Sequence, residues 1–173
     1  LEKNRANFIA LTPIDFLARA ALVHPERTAI VCGTRRQSYS ESDARCRALA
    51  DSLMRKGVGV GDTVSIIAPN ILEMLEAHFG VPMAGAVLNA INTRLESETI
   101  GGIIKHAKSK LLIVDIEYFD LVKKAIKHVG LKPDIILIGH LSKSEESVSS
   151  NLLSYETFIS FGSAKFEWKR PDD

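Results

Sequence analysis

The stretch TVSIIAPNILEMLEAHFGVPMAGAVLNAI, residues 63–91, decides the fold class of this chain. Its first six residues are a short, apolar and largely β-branched run, which indicates a buried strand. A proline–asparagine pair then turns the chain, and Leu72, Leu75 and Phe79 recur at the spacing of one helix face. The run AVLNAI at 86–91 predicts a second strand. A strand, a helix and a strand in this order are typical of a parallel sheet.

The same alternation continues on both sides of this unit. The further predicted helices begin near Thr12, Ser40, Ser97 and Phe119, and the further predicted strands lie at 28–40, 111–115 and 134–139. Each helix is indicated by apolar residues at helical spacing, and each strand by a short apolar run. The sequence therefore predicts an α/β fold in which layers of parallel sheet are flanked by helices.

The character of the sequence changes after Gly139. The stretch SKSEESVSSN at 142–151 is polar, rich in serine and without periodicity, which predicts an exposed loop or linker. The segment LLSYETFIS that follows predicts one more helix. We therefore divide the chain into an α/β portion at 1–140 and a serine-rich loop with a connecting segment at 141–173.

Composition excludes several classes of function. The 22 Lys and Arg residues against 21 Asp and Glu give a net charge of +1, so nothing favours nucleic acid or an anionic membrane as a partner. The longest apolar run, residues 80–90, is too short to span a bilayer. Cys32 and Cys46 are too few for a disulfide framework or a zinc knuckle, which favours a reduced, intracellular chain. Because the chain begins with Leu1 and ends on a charged tail, we expect a fragment.

Two glycine motifs invite comparison with nucleotide-binding loops. The stretch GVPMAGAV at 80–87 has the glycine spacing of a phosphate-binding loop, but Ala86 and Val87 stand where lysine and a hydroxyl residue are required. The stretch GVGVG at 57–61 resembles a dinucleotide loop. Both follow a predicted helix and precede a predicted strand, so the negative end of a helix dipole would face the phosphate. We predict a tight turn at 57–61 and close backbone packing at 80–87.

No catalytic or metal-binding set is complete. The five histidines, His24, His78, His106, His128 and His140, lack the spacing of known metal motifs. His78, on an apolar helix, is expected to be a hydrogen-bonded structural residue. Asp115, Glu117 and Asp120 follow a strand, where carboxylates can be functional, but capping of the next helix is the favoured role. A nucleophile elbow is absent from the sequence. We therefore assign no catalytic, cofactor-binding or metal-binding residue.

The ordered series of local motifs resembles the N-terminal part of the adenylate-forming, acyl-activating enzymes. Its members are HPERTAI at 24–30, SYSESDARCRALADSL at 38–53, GVGVGD at 57–62, VSIIAPN at 64–70 and MAGAVLNAINTRL at 83–95. The sequence of residues 77–95 is most similar to that of plant ligases of the butyrate- and benzoate-CoA type. The resemblance covers residues 8–140 well and the rest loosely, and it implies the first, incomplete part of that fold.

The resemblance implies a ligase that joins a carboxylic acid to coenzyme A through an acyl-adenylate, with ATP and Mg²⁺. The implied substrate is a short-chain, medium-chain or aromatic acid, and the implied location is the cytoplasm or the peroxisome. The family's threonine- and glycine-rich phosphate loop is not found in the 173 residues, and 141–173 would lead toward it. We therefore expect this chain to bind no cofactor tightly and to be inactive alone.

Two alternatives stay open at this point. The chain could be a short, non-catalytic α/β protein that binds a ligand or a partner. It could also be an independent flavodoxin-like domain that binds a small phosphate compound, which would require backbone amides at the carboxyl end of a strand.

Overall fold

The computed structural model describes residues 2, 4, 7, 8, 11–139 and 152–169. The helices are α1 (Pro13–Val23), α2 (Tyr39–Arg55), α3 (Leu72–Met83), α4 (Ser97–His106), α5 (Phe119–Val129) and α6 (Tyr155–Ser160), with a 3₁₀ turn at Ile116–Tyr118. The strands are β1 (Thr28–Cys32), β2 (Arg35–Ser38), β3 (Thr63–Ile67), β4 (Val87–Ala90), β5 (Ser109–Asp115), β6 (Asp134–Ile138) and β7 (Leu152–Ser154). The expected serine-rich loop at 142–151 lies outside the described residues.

Five strands form one parallel sheet in the order β4-β3-β5-β6-β7. β1 and β2 form a separate antiparallel hairpin. The strands β3, β4, β5 and β6 are joined in turn by α3, α4 and α5, as the alternation in the sequence predicts, and the α/β class is confirmed. The described residues include no helix that is both long enough and apolar enough to cross a membrane.

Both faces of the sheet are covered, and β5 shows how. Leu111 and Ile113 pack with α1, α2, α3 and α6 on one face, whereas Leu112 and Val114 pack with α4 and α5 on the other. Successive side chains of a strand point to opposite faces, so a strand buried on both sides must be continuously apolar. This is why the run LLIV carries no polar residue.

Local capping chemistry sets where the helices begin. The predicted helix start near Thr12 is confirmed, and Thr12 forms with Asp15 a reciprocal capping box at the start of α1. α2 begins at Tyr39 and not at Ser40, because Ser38 accepts a hydrogen bond from the Glu41 amide while Glu41 accepts one from the Ser38 amide. Ser97 is the first residue of α4 and does not cap it.

The residues 152–169, here called the return segment, complete the sheet and lie along α2. The expected single helix at 152–160 is instead the strand β7 followed by α6, because Leu152 and Leu153 pair with β6. The Ser52 hydroxyl donates to the Phe158 carbonyl at 2.8 Å, and the Arg47 guanidinium donates to the Phe166 carbonyl at 2.8 Å. The division of the chain at residue 140 stays a prediction.

The buried carboxylate of Glu76 joins the return segment to three other elements. The Arg45 guanidinium of α2 donates to both of its oxygens, the Gln37 amide of the hairpin donates to Oε1, and the Tyr155 hydroxyl donates to Oε2 at 2.8 Å. Arg45 also donates to both oxygens of Glu156. Burial alone would lower the pKa of Arg45, but its bonds to Glu156 and Glu76 outweigh that effect and raise it. Four elements of the fold therefore meet at one buried carboxylate, and both of its oxygens accept hydrogen bonds.

We predict that Gly101→Ala destabilises the chain by about 1–3 kcal/mol, because a Cβ there would lie 2.6 Å from the Ala125 carbonyl oxygen where α4 crosses α5. The matched control is Gly102→Ala, whose Cβ meets nothing within 4 Å. The control should gain about 0.5–1 kcal/mol from helix propensity alone. Urea denaturation of both variants measures the difference, and equal stabilities would contradict this account of the α4–α5 contact.

We predict that Tyr155→Phe destabilises the chain by about 1–3 kcal/mol, because one oxygen of a buried carboxylate loses a donor while the ring is retained. Tyr39→Phe is the control, since the structure shows no hydrogen bond from the Tyr39 hydroxyl within the described residues. Urea denaturation at pH 8 measures both, and an unchanged midpoint for Tyr155→Phe would be evidence against the shared charge.

The same pair predicts a pH dependence. Burial, together with the charge of Glu76, raises the pKa of Tyr155 well above its usual range, so the folded chain keeps this phenol neutral. The unfolded phenol ionises near pH 10. The stability that Tyr155 contributes is therefore complete below about pH 10 and is lost as the pH rises above it. The stability gap between the native chain and Tyr155→Phe should narrow between pH 8 and about pH 11, and a constant gap would contradict this linkage.

Candidate functional site

A cavity of about 450 Å³ opens at the carboxyl edge of the parallel sheet. Its walls come from the ends of three strands, the start of α3, the hairpin and the return segment. The lining residues are Cys32, Arg35, Ile71, Glu73, Asp115, Ile138, Gly139, Ser154, Tyr155 and Glu156. The strand order β4-β3-β5-β6-β7 is that of flavodoxin-like proteins. In such proteins, ligands bind beyond the carboxyl ends of the first and third strands of the sheet, which correspond here to β3 and β5. This cavity is therefore the candidate functional site.

The charges that line the cavity are mainly negative. Glu73, which is 5% exposed, accepts a hydrogen bond from the Arg35 guanidinium at 2.8 Å. That bond raises the pKa of Arg35 against the opposing effect of burial. Asp115 is 9% exposed and caps the following turn through the Glu117 amide at 2.9 Å. Together with Glu156, the described residues contribute three carboxylates and one guanidinium to the cavity lining.

The return segment forms one wall of the cavity and is fixed by the arginine beside it. Glu156 receives hydrogen bonds from Arg45 at 2.7 and 2.9 Å. These bonds lower the pKa of Glu156 and keep the carboxylate ionised at neutral pH. Because Arg45 is bonded to two carboxylates at once, its charge is not available to a ligand in the cavity.

These residues do not fit a triphosphate. The positive end of a helix dipole favours an anion at the start of α3. Glu73 lies in that first turn, however, and its carboxylate already benefits from the dipole. A phosphate placed there would also face Asp115, and like charges in a partly buried site repel strongly. The phosphate-binding, flavodoxin-like alternative is therefore disfavoured, although the strand order matches.

The two glycine motifs lie where a helix passes into a strand, as expected. Gly57 and Gly61 have φ angles of +83° and +82°, and the Gly57 and Val58 amides close the end of α2 on the Met54 and Leu53 carbonyls. In the stretch at 80–87, a Cβ on Gly80 would lie 3.0 Å from the Cys46 carbonyl oxygen of α2. The predicted packing role of this motif is confirmed by that contact.

Of the histidines and carboxylates that the sequence suggests as functional candidates, one of the described residues lines the cavity and the others lie elsewhere. His78 is exposed, and its ring Nδ1 lies 2.8 Å from the Met74 carbonyl oxygen, in keeping with a structural role. Asp120 is exposed and pairs with Lys123 on the outside of α5. Asp115 alone lines the cavity, where it caps the next turn as expected. His140 falls outside the described residues.

Cys32 and Cys46 are free, as expected. Cys32 lines the cavity at the end of the hairpin strand β1. Cys46 is buried in α2, and burial raises the pKa of its thiol well above the usual range. Within the described ranges, no group of three or more His, Cys, Asp or Glu side chains is placed to hold a metal.

Sequence reasoning missed the residues that organise this region: Arg35, Arg45, Glu73, Glu76 and Tyr155. One signal was present, because Glu73 and Glu76 lie three residues apart on α3, which is otherwise largely apolar. Two acids on the buried face of such a helix indicate paired charges in the fold. Their partners cannot be identified from spacing, since the arginines and the tyrosine lie far away along the chain.

Among solved structures, the chain is similar to an anthranilate CoA ligase in complex with anthranoyl-AMP, with a TM-score of 0.82 and 22% identity. The match covers 90% of this chain and 29% of that one. A benzoate CoA ligase from Burkholderia xenovorans matches with a TM-score of 0.79 and 18% identity, over 92% of this chain and 30% of that one. These likenesses establish the fold, which is an N-terminal part of the CoA-ligase fold.

Among characterised sequences, the chain is 40% identical to an acetate–CoA ligase of Humulus lupulus, over all of this chain and 32% of the relative. It is 41% identical to a peroxisomal acetate/butyrate–CoA ligase of Arabidopsis thaliana, again over all of this chain and 32% of the relative. A peroxisomal trans-cinnamate:CoA ligase of Petunia hybrida is 37% identical, over 96% of this chain and 31% of the relative. The chain thus spans about a third of the length of these relatives.

The family described as AMP-binding enzyme matches residues 17–173, which include nearly all of the described structure. This match and the 40% identity to plant CoA ligases agree with the resemblance seen in the local motifs. The chain therefore belongs to the AMP-binding enzyme family.

Proposed function

We propose that this chain is the N-terminal part of an ATP-dependent ligase that joins a small carboxylic acid to coenzyme A. The observation that carries the proposal is its 40% identity, over its whole length, to an acetate–CoA ligase. Relatives named for butyrate, cinnamate and 2-methylpropanoate support a short-chain or aromatic acid as substrate. Several relatives are named as peroxisomal, which favours the peroxisome, with the cytoplasm as the alternative.

We further propose that residues 1–173 do not catalyse this reaction alone. The cavity at the carboxyl edge has three carboxylates, and its one lining guanidinium is paired with Glu73. Activation of a carboxylic acid by ATP requires cations and hydrogen-bond donors around the phosphates. ATP, Mg²⁺ and coenzyme A are therefore expected to be held by parts of a longer protein, and the described residues supply a rigid wall.

We predict that the 173-residue chain gives no exchange of labelled pyrophosphate into ATP with acetate, butyrate or benzoate and Mg²⁺, because the cavity formed by its described residues has no unpaired cation for the triphosphate. Full-length acetate–CoA ligase from Humulus lupulus, assayed in parallel with acetate, is the positive control. Exchange above the enzyme-free blank by the 173-residue chain would refute the proposed lack of catalysis.

The transcript beyond the codon for Asp173 separates the ligase from the non-catalytic alternative. If the chain is part of a ligase, the reading frame should continue into a threonine- and glycine-rich phosphate loop. An in-frame stop codon directly after Asp173 in mature mRNA would favour a short protein that has kept the fold without the reaction.

A further inference from the structure

A second concavity, here called the α1 groove, lies on the face of the molecule that carries α1, β1, α2 and α3. It has a volume of about 400 Å³, and its walls are almost entirely apolar. The side chains that form most of the wall are Phe16, Leu17, Ile30, Tyr39, Leu75 and Phe79. None of them belongs to the cavity at the carboxyl edge of the sheet.

The rim of the α1 groove exposes large apolar side chains next to one another. Phe16 on α1 is 60% exposed and Leu75 on α3 is 40% exposed, and both line the same concavity. Isolated exposed apolar residues are ordinary on protein surfaces, whereas a concave group of aromatic and aliphatic residues marks a contact surface.

The floor of the groove offers no unpaired charge. Glu76 reaches the floor, but its two oxygens are bonded by Arg45, Gln37 and Tyr155. Cys46 also lines the groove and is buried, which raises the pKa of its thiol, so it is neutral at physiological pH. An occupant therefore gains from apolar contact and has no ionic partner to find there.

We propose that the α1 groove receives an apolar segment from the remainder of a full-length ligase. The chain corresponds to about a third of the length of its relatives and of the solved CoA ligases, so about two thirds of such a protein lies outside this part and can supply the segment. Phe16 and Leu75 are then core residues of an interface between two parts of one polypeptide. This proposal rests on one part of the proposed function, namely that the chain belongs to a longer ligase. It does not depend on which reaction that ligase catalyses.

The test compares cysteine accessibility in short and long proteins. Leu75→Cys and Phe16→Cys are each placed in the 173-residue chain, and also in a chimera in which this chain replaces the matching third of the Humulus lupulus acetate–CoA ligase. Alkylation by iodoacetamide is measured at each site by mass spectrometry of peptides, which separates the new cysteines from Cys32 and Cys46. We expect both new thiols to react at least about tenfold more slowly in the chimera, since a packed segment must open before the reagent can reach them.

Val60→Cys is the matched control, because Val60 is also a large apolar residue, is 92% exposed and does not line the groove. Its alkylation rate should be the same in both proteins. Equal rates at positions 16 and 75 in the short chain and in the folded chimera would overturn the proposal. Pyrophosphate exchange by the chimera reports on the proposed function separately, so an active chimera with an open groove rejects only this inference.

Measurements on the 173-residue chain keep the proposal testable if the chimera does not fold. The chain should sediment as a monomer and bind the neutral probe N-phenyl-1-naphthylamine. Leu75→Gln and Phe16→Gln should abolish most of the probe fluorescence, and Val60→Gln should leave it unchanged. Absence of probe binding would overturn the proposal. A dimer that protects position 75 from alkylation would also overturn it, because a second copy would then be the occupant.

Discussion

The Glu76 carboxylate lies fully buried where α2, α3, the hairpin and the return segment meet. A charge removed from water in this way costs several kcal/mol unless hydrogen-bond donors surround it. A guanidinium, an amide and a phenol supply the donors, and each comes from a different element. Because the carboxylate is satisfied only when all of these elements are in place, it fixes their relative positions more strictly than apolar packing does.

The Glu76 network also explains the character of the cavity at the carboxyl edge. Arg35 lines that cavity and Arg45 bonds to its lining residue Glu156, and both arginines are paired with carboxylates of α3 or the return segment. Although the strand order is that of a flavodoxin-like protein, the described residues at this sheet edge supply no free positive charge of the kind that a phosphate ligand requires. This charge pattern is the reason for our proposal that residues outside this chain hold ATP.

Much of the fold could be predicted because its signals are local. The run at 111–115 is apolar at every position before Asp115, because β5 is covered on both faces. The residues that cap α1 lie within four positions of one another. The strand β7 was not predicted, because Leu152–Ser154 is short and is directly followed by the helix α6. Only its pairing with β6 makes this segment a strand. The predicted start of α2, Ser40, is one residue late, because the reciprocal contact between Ser38 and Glu41 makes Tyr39 the first helical residue.

The sequence by itself determined the α/β class, the order of strands and helices through α5, and the packing role of the glycine motifs, because these follow from periodicity and from neighbours in the chain. Only the tertiary structure decided the strand order, the cavity, the α1 groove and the network around Glu76. The three partners of Glu76 lie 31, 39 and 79 positions from it along the chain, and Glu156 lies 111 positions from Arg45. Contacts over such separations leave no periodic trace, so the acids of α3 could be recognised as unusual, but their partners could not be named.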